Sequence, residues 1–295
     1  MTAVATAIGC KSPGPCKFAA FRIPGLINDV DMQPEDVASP SLRLKGDDSS
    51  ATLLVALPRR GPHRQLQKIT CNSDDCTTVL QAAINSGADV ELQPGLWSVD
   101  PIHLNNSHQT VRLKDGAHVQ AKRGSFQSPT DCLFSIRGVV GVSLIGAGAA
   151  NSKLSMWKVD YRNASLYKRG EWRCGVNLCG SKSVTVANLT ISDTGGDGLY
   201  VGALKICDKT GCDSFETGCS NIVVDGVVTD GAYRNGLSLI SGANVLVENC
   251  QFLRTGGTAP QAGVVHPHLP AHRPPRLHVS HLLLLFVTLR LHLDL

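Results

Sequence analysis

The chain has 295 residues, a formal net charge of +4, 29 glycines and 5% aromatic residues. That length allows one large domain or two small ones. The small charge, with no basic stripe carrying interleaved aromatics, argues against a nucleic-acid binder, and the most apolar run, Leu282–Val287, is too short to span a membrane.

Residues 1–66 carry no period and are broken by clusters of Pro, Gly and charge at Lys11–Pro15, Gly46–Ser50 and Pro58–Pro62. They read as a poorly structured arm or the remnant of another domain. Met1–Ile8 lacks a basic start and a long apolar core, so it makes a poor signal peptide.

From Cys71 the chain becomes organised. Asp74–Asn85 is a short helix: Asp and Thr can cap its start, and Val79, Leu80, Ala83 and Ile84 form an apolar face. Val90–Leu92 is a strand and Pro94-Gly95 a turn. Leu96–Ile102 and Thr110–Leu113 continue as strands, and Asp115-Gly116 turns again.

The chain then repeats itself. Ser183–Val201, Asn221–Leu239 and Asn244–Val265 superimpose: each opens on alternating aliphatics (Val184 and Val186, Ile222 and Val224, Val245 and Val247) and ends on Gly plus an apolar run (Gly198-Leu199, Gly236-Leu237, Gly263-Val264). Ile222 to Val245 is 23 residues, as is Gly175 to Gly198. A period in that range signals a solenoid. The β-branched strands and Gly/Asn/Asp turns fit a parallel β-helix, whereas the regular leucines and Asn ladder of a leucine-rich repeat are absent. Two insertions interrupt the period. Asn151–Trp172 carries Trp157, Tyr161, Tyr167 and Trp172, with several Lys and Arg in it or just after it; Ala203–Ser220 holds three cysteines.

After Gly263 the character changes. No Gly, Asn, Lys or Glu follows, Asp294 is the one acid, and six of the ten histidines fall there. Residues dominated by His, Pro, Leu, Ser and Phe are what translation of a pyrimidine-rich intron or a shifted frame yields. The expectation is that residues 265–295 are a non-native or disordered tail, following an arm over 1–66 and a β-helix domain over 67–264. A genuine His/Pro/Leu tail is the alternative.

Eleven cysteines are many for a cytosolic protein. The gaps at Cys71/Cys76, Cys174/Cys179 and Cys207/Cys212/Cys219 do not match paired zinc ligands, and local disulfides in an oxidising compartment are expected instead. The triplets at Asn105, Asn163 and Asn188 match glycosylation sequons, although Asn188 sits in a repeat turn where a stacked Asn is the blander reading.

The stretch Asp74-Asp75-Cys76-Thr77, Leu80-Gln81-Ala82-Ala83-Ile84 and Pro94-Gly95-Leu96-Trp97 resembles the start of the pectate-lyase superfamily. There a DDT-x-x-(L/I)Q-x-AI helix caps the solenoid before a strand and a PxGxY-like turn. The resemblance covers roughly Cys71–Gly263. It implies an all-β, right-handed parallel β-helix with a short N-terminal capping helix, secreted or in the secretory pathway. It also implies an expected monomer acting on an acidic, uronate-containing polysaccharide, with lyase, hydrolase and epimerase chemistry all open. A Ca²⁺ ion would fit a lyase, but no dense acidic cluster supports one. In bacterial-type members a segment like Thr255–Gly263 is followed by an acidic Asp-x-Glu-Pro strand, and here the acids do not follow.

The same resemblance makes one sheet the floor of a carbohydrate groove, lined by residues just before the recurring Gly. Aligning Gly175, Gly198, Gly236 and Gly263 puts Cys174, Asp197, Asn235 and Ala262 in that line, with Asp193, Tyr200, Tyr233 and Arg234 close by. Against the polygalacturonase branch, Thr194–Val201 looks like the DD rung with Gly196 in place of the first Asp. Asn235 stands where the GHG histidine would be, and the NTD position near Arg173-Cys174 has no carboxylate. The expected catalytic residues are Asp197, Arg234 and Asp193. Tyr200, Tyr233, Asn235, Trp157 and Trp172 are expected to bind substrate, the aromatics by stacking on sugar rings. The competing reading is ordinary Asp-Gly and Asn-Gly turns with a structural Asp–Arg pair. A non-catalytic carbohydrate-binding protein and a non-functional truncated product remain the alternatives to an enzyme.

Overall fold

The computed structural model describes residues 42–43, 52–53, 65–204, 207–208, 211–212, 217–266 and 277–280. The chain divides into two units, Met1–His63 and Arg64–Leu295. Of the first, one antiparallel pair is described, Leu42–Arg43 with Thr52–Leu53. Most of the expected arm lies outside the described residues, as does most of the expected tail.

The second unit is a right-handed parallel β-helix. Its first sheet stacks Leu66–Ile69, Asp89–Leu92, Thr110–Leu113, Ser143–Ile145, Lys182–Ala187, Cys219–Asp225, Gly242–Glu248 and Leu277–Ser280. The second stacks Gly95–Val99, Ala117–Ala121, Lys153–Ser155, Thr190–Ser192, Val228–Asp230 and Gln251–Leu253. The third stacks Ile102–Leu104, Phe134–Arg137, Val176–Cys179, Leu199–Gly202, Leu237–Leu239 and Val264–Val265. The six strands of the second and third sheets mark six full coils.

Side chains alternate along each strand, so one set points inward and stacks coil on coil. On the first sheet the inward column is Val90, Val111, Leu144, Val186, Val224 and Val247. On the third it is Ile102, Phe134, Val176, Leu199, Leu237 and Val264. All but Val264 are buried. The pairings Val184↔Ile222↔Val245 and Leu199↔Leu237↔Val264 reproduce the superposition read from the sequence. Leu277–Ser280, within the segment expected to be non-native, pairs in parallel with Gly242–Glu248.

The helix Thr77–Asn85 closes the first coil. Asp75 accepts the Thr77 N–H at 3.0 Å, and the N-cap position itself is Cys76. Leu80, Ala83 and Ile84 are buried against the coil, but Val79 is exposed. The expected apolar face is therefore narrower, because Val79 lies on the flank of the contact. Trp97 takes the aromatic position and fills the core, its indole N–H donating to Gln93 O at 3.1 Å.

Left-handed residues recur in columns, within the strands of the first sheet and at the turns that follow them. Ser183, Asn221 and Asn244 have φ near +55°, and Asn244 Nδ2 donates to Asn221 Oδ1 at 3.0 Å. Asn188 likewise sits at φ 57°, with its Oδ1 over Gly226 of the next coil. Asn tolerates this backbone better than Ala. Asn244→Gly should therefore leave the unfolding midpoint near the parent's, whereas Asn244→Ala should cost about 1 kcal/mol in denaturant titration.

Among the described residues, one disulfide joins Cys71 to Cys76, as expected. The expected partners Cys174 and Cys179 are both free and buried. Their separation along one chain segment turns them to neighbours on other coils. Cys207 and Cys212 face one another in backbone register in the second insertion.

Candidate functional site

From the third coil on, the third sheet is entered each time through a glycine: Gly175, Gly198, Gly236 and Gly263. At Gly175, Gly198 and Gly236 no left-handed backbone is needed; these positions need to lack a side chain. A Cβ on Gly198 would lie 2.6 Å from Gly236 O and 2.8 Å from Thr229, and one on Gly236 would lie 2.6 Å from Gly263 O. The chain is pressed against the next coil here, which fixes the residue just before each glycine. Cys174, Asp197, Asn235 and Ala262 thus form the column that the alignment placed together.

The column is tied by its side chains. Asn235 N–H donates to Asp197 Oδ1 at 3.0 Å, and Ala262 N–H donates to Asn235 Oδ1 at 3.1 Å. Asn235 Nδ2 donates to Ser238 Oγ at 3.0 Å. Asp197, Asn235 and Ser238 are all fully buried. Burial pushes the Asp197 carboxyl up from 3.8 to about 6, against the Ser238 hydroxyl, the Arg234 guanidinium and the Asn235 amide, which favour the charged form.

Arg234 lies over this carboxylate, its Nη1 3.6 Å from Asp197 Oδ2. Its Nε is 3.9 Å from Glu171 Oε2. Both contacts are ionic but longer than direct hydrogen bonds. Among the described residues, Asp197 Oδ2 and Arg234 Nε have no hydrogen-bond partner. Trp172 covers the guanidinium with its ring centroid 4.7 Å away, and Tyr200 meets Trp172 edge-on at 5.9 Å. Trp172 is 40% exposed, so one face of the cluster reaches solvent. Burial also pushes the Tyr200 phenol up to about 12.

Glu171 and Trp172 arrive on the insertion between the second and third sheets of the third coil. Arg173, fully buried, holds that insertion in place. Its Nε donates to Phe126 O at 2.8 Å, and its Nη2 donates to Gln127 O at 3.1 Å and Lys168 O at 2.9 Å. The rings of Tyr161 and Tyr167 lie 5.4 and 5.7 Å from the guanidinium carbon. Gly196 lets the insertion approach, because a Cβ there would lie 2.5 Å from Glu171 O.

The expected site residues thus divide. Asp197, Arg234, Tyr200, Asn235 and Trp172 come together. Asp193 does not: it is exposed at φ 53° at the end of the second sheet, and no hydrogen bond or ion pair among the described residues joins it to Asp197 or Arg234. The turn sends residues 193 and 197 to opposite ends. Trp157 is pinned to the second coil, donating to Ala121 O at 2.5 Å with Arg123 stacked 3.9 Å from its ring. Tyr233 is half-buried beside Arg162, whose guanidinium carbon is 5.8 Å from its ring. Sequence reasoning missed Glu171, Ser238 and Thr258, whose Oγ1 is 3.5 Å from Glu171 Oε2. The column position at Arg173-Cys174 indeed lacks a carboxylate, but the insertion supplies Glu171 from beside it. The one available signal was its place directly before Trp172-Arg173.

No family model matches the chain. It is similar to the SPβ prophage-derived uncharacterised protein YorA of Bacillus subtilis (strain 168), with 30% identity over 199 residues, or 63% of this chain. The chain spans about a third (33%) of the length of that curated relative. Among solved structures, a provisionally assigned glycosyl hydrolase from Parabacteroides merdae aligns with TM-score 0.51 at 13% identity, covering 74% of this chain and 96% of that one. An iota-carrageenase from A. fortis aligns with TM-score 0.51 at 14% identity, over 76% and 48% of the two chains. These likenesses establish the fold.

Proposed function

We propose that this is a carbohydrate-active protein that hydrolyses an acidic, uronate-containing polysaccharide at the Glu171–Asp197–Arg234 cluster. The reading is carried by two carboxylates from different coils set about one guanidinium, 3.9 and 3.6 Å away, beside an exposed indole. The likeness in fold to a glycosyl hydrolase and a carrageenase supports a polysaccharide substrate. Arg234 pairs with a sugar carboxylate and Trp172 stacks on a ring. Asp197, held protonated into mildly acidic solution by burial, gives its proton to the leaving glycosidic oxygen. Glu171, in a more solvated place, takes the proton of the attacking water. Water is added across one C–O bond, and no other co-reactant is needed.

The test is to incubate the full chain with uronate polysaccharides and measure new reducing ends alongside ultraviolet-absorbing unsaturated ends. Reducing ends without unsaturation are expected, and Glu171→Gln should lower their rate by about 10²-fold or more. Unsaturated ends would mean elimination, against this reading. The complete burial of Asp197 and the use of its Oδ1 in the column favour a second reading, binding without turnover. Retention on an immobilised uronate polymer with no new ends of either kind would select it.

A further inference from the structure

A pair of cysteines stands in the column beside Asp197. The register Phe134↔Val176, extended back, sets Cys132 opposite Cys174. Leu133 N–H donates to Cys174 O, and Phe134 N–H donates to Gly175 O, each at 3.0 Å, so the pairing holds up to these residues. Stacked residues on adjacent parallel strands are about 4.8 Å apart at Cα, inside the span of about 4.4–6.8 Å that a disulfide bridges. Both cysteines are buried and free. Cys132 Sγ also reaches Trp172 O at 3.4 Å, and Gly175 N–H donates to Asp197 O at 3.1 Å. The pair therefore underlies the end of the insertion that carries Glu171 and Trp172.

We propose that Cys132 and Cys174 are an inter-coil disulfide site that fixes the Glu171–Cys174 segment to the coil before it. The reaction joins the two sulfurs. Cys132 thiolate attacks a small-molecule disulfide and expels one thiol; Cys174 then attacks the mixed disulfide at Cys132 and expels the second. Two electrons pass to the external disulfide, and the two protons leave with its thiols. Because both sulfurs are buried, the bond forms during folding rather than on the finished fold.

The test refolds the full chain in a glutathione redox buffer, caps free thiols and maps peptides by mass spectrometry without reduction. The expected result is a peptide joining Cys132 to Cys174, with an unfolding midpoint above that of chain refolded under reductant. Cys132→Ser should lose the cross-link and most of the rise while keeping Cys71–Cys76. Recovery of Cys132 and Cys174 as capped thiols from the oxidised protein, or of Cys174 joined to Cys179, would overturn the proposal. Should Cys132→Ser fail to fold, the parent's peptide map alone decides.

Discussion

Gly198→Ala should destabilise the solenoid by about 3 kcal/mol, at the upper end of overpacking costs. The added Cβ meets a backbone oxygen, Gly236 O at 2.6 Å, and the branched Thr229 at 2.8 Å. Neither can turn away, since the first belongs to the neighbouring coil and the second is fully buried. Gly256→Ala is the matched control: its Cβ would meet only Gln261 Oε1 at 3.8 Å, so a change within about 0.5 kcal/mol is expected. Denaturant unfolding of the two variants beside the parent reads the difference. Equal midpoints would mean the coils can separate locally, and the recurring glycines would need another explanation.

Asp197→Asn should remove a pH dependence of similar size. The folded-state carboxyl titrates at about 6 instead of 3.8. Between those values the folded chain holds a proton that the unfolded chain has lost. Stability from this group is therefore full below about pH 4, falls as pH rises through about 6, and stays low above. A shift of about two units corresponds to about 3 kcal/mol. The variant cannot titrate, so the parent-minus-variant stability should fall by that amount from pH 3.5 to pH 7. A flat difference would show that Arg234 and Ser238 offset burial fully. Asparagine keeps an acceptor for the Asn235 N–H, so the column itself should survive.

Much of this architecture is legible in the sequence because coils of equal length repeat the same packing problem. The aliphatic pairs at 184/186, 222/224 and 245/247 and the glycines at 175, 198, 236 and 263 can be aligned by eye, and the strand register agrees. What breaks the period is hidden. Glu171 reaches Arg234 only because Arg173 folds an aperiodic insertion back over the coils. Cys132 meets Cys174 across an insertion that no fixed spacing bridges. Asp193 and Asp197 look equivalent in a string but leave opposite ends of one turn. The site is thus half periodic, which the sequence displays, and half inserted, which only the packing reveals.

The insertion after the second sheet of the third coil also changes how the molecule comes apart. Coils stacked in a row touch only their neighbours, and such an array can fray one unit at a time. Here one segment is fastened to the second coil and to the last two. Trp157 and Arg173 grip carbonyls in and after Ala117–Ala121 of the second coil. Lys158 Nζ donates to Ala232 O at 3.3 Å in the fifth, and Thr258 of the sixth bonds Glu171. That splint makes the intervening coils share one fate. Amide hydrogens from the second to the sixth coil should exchange through a common opening, with rates that cluster rather than grade toward the ends.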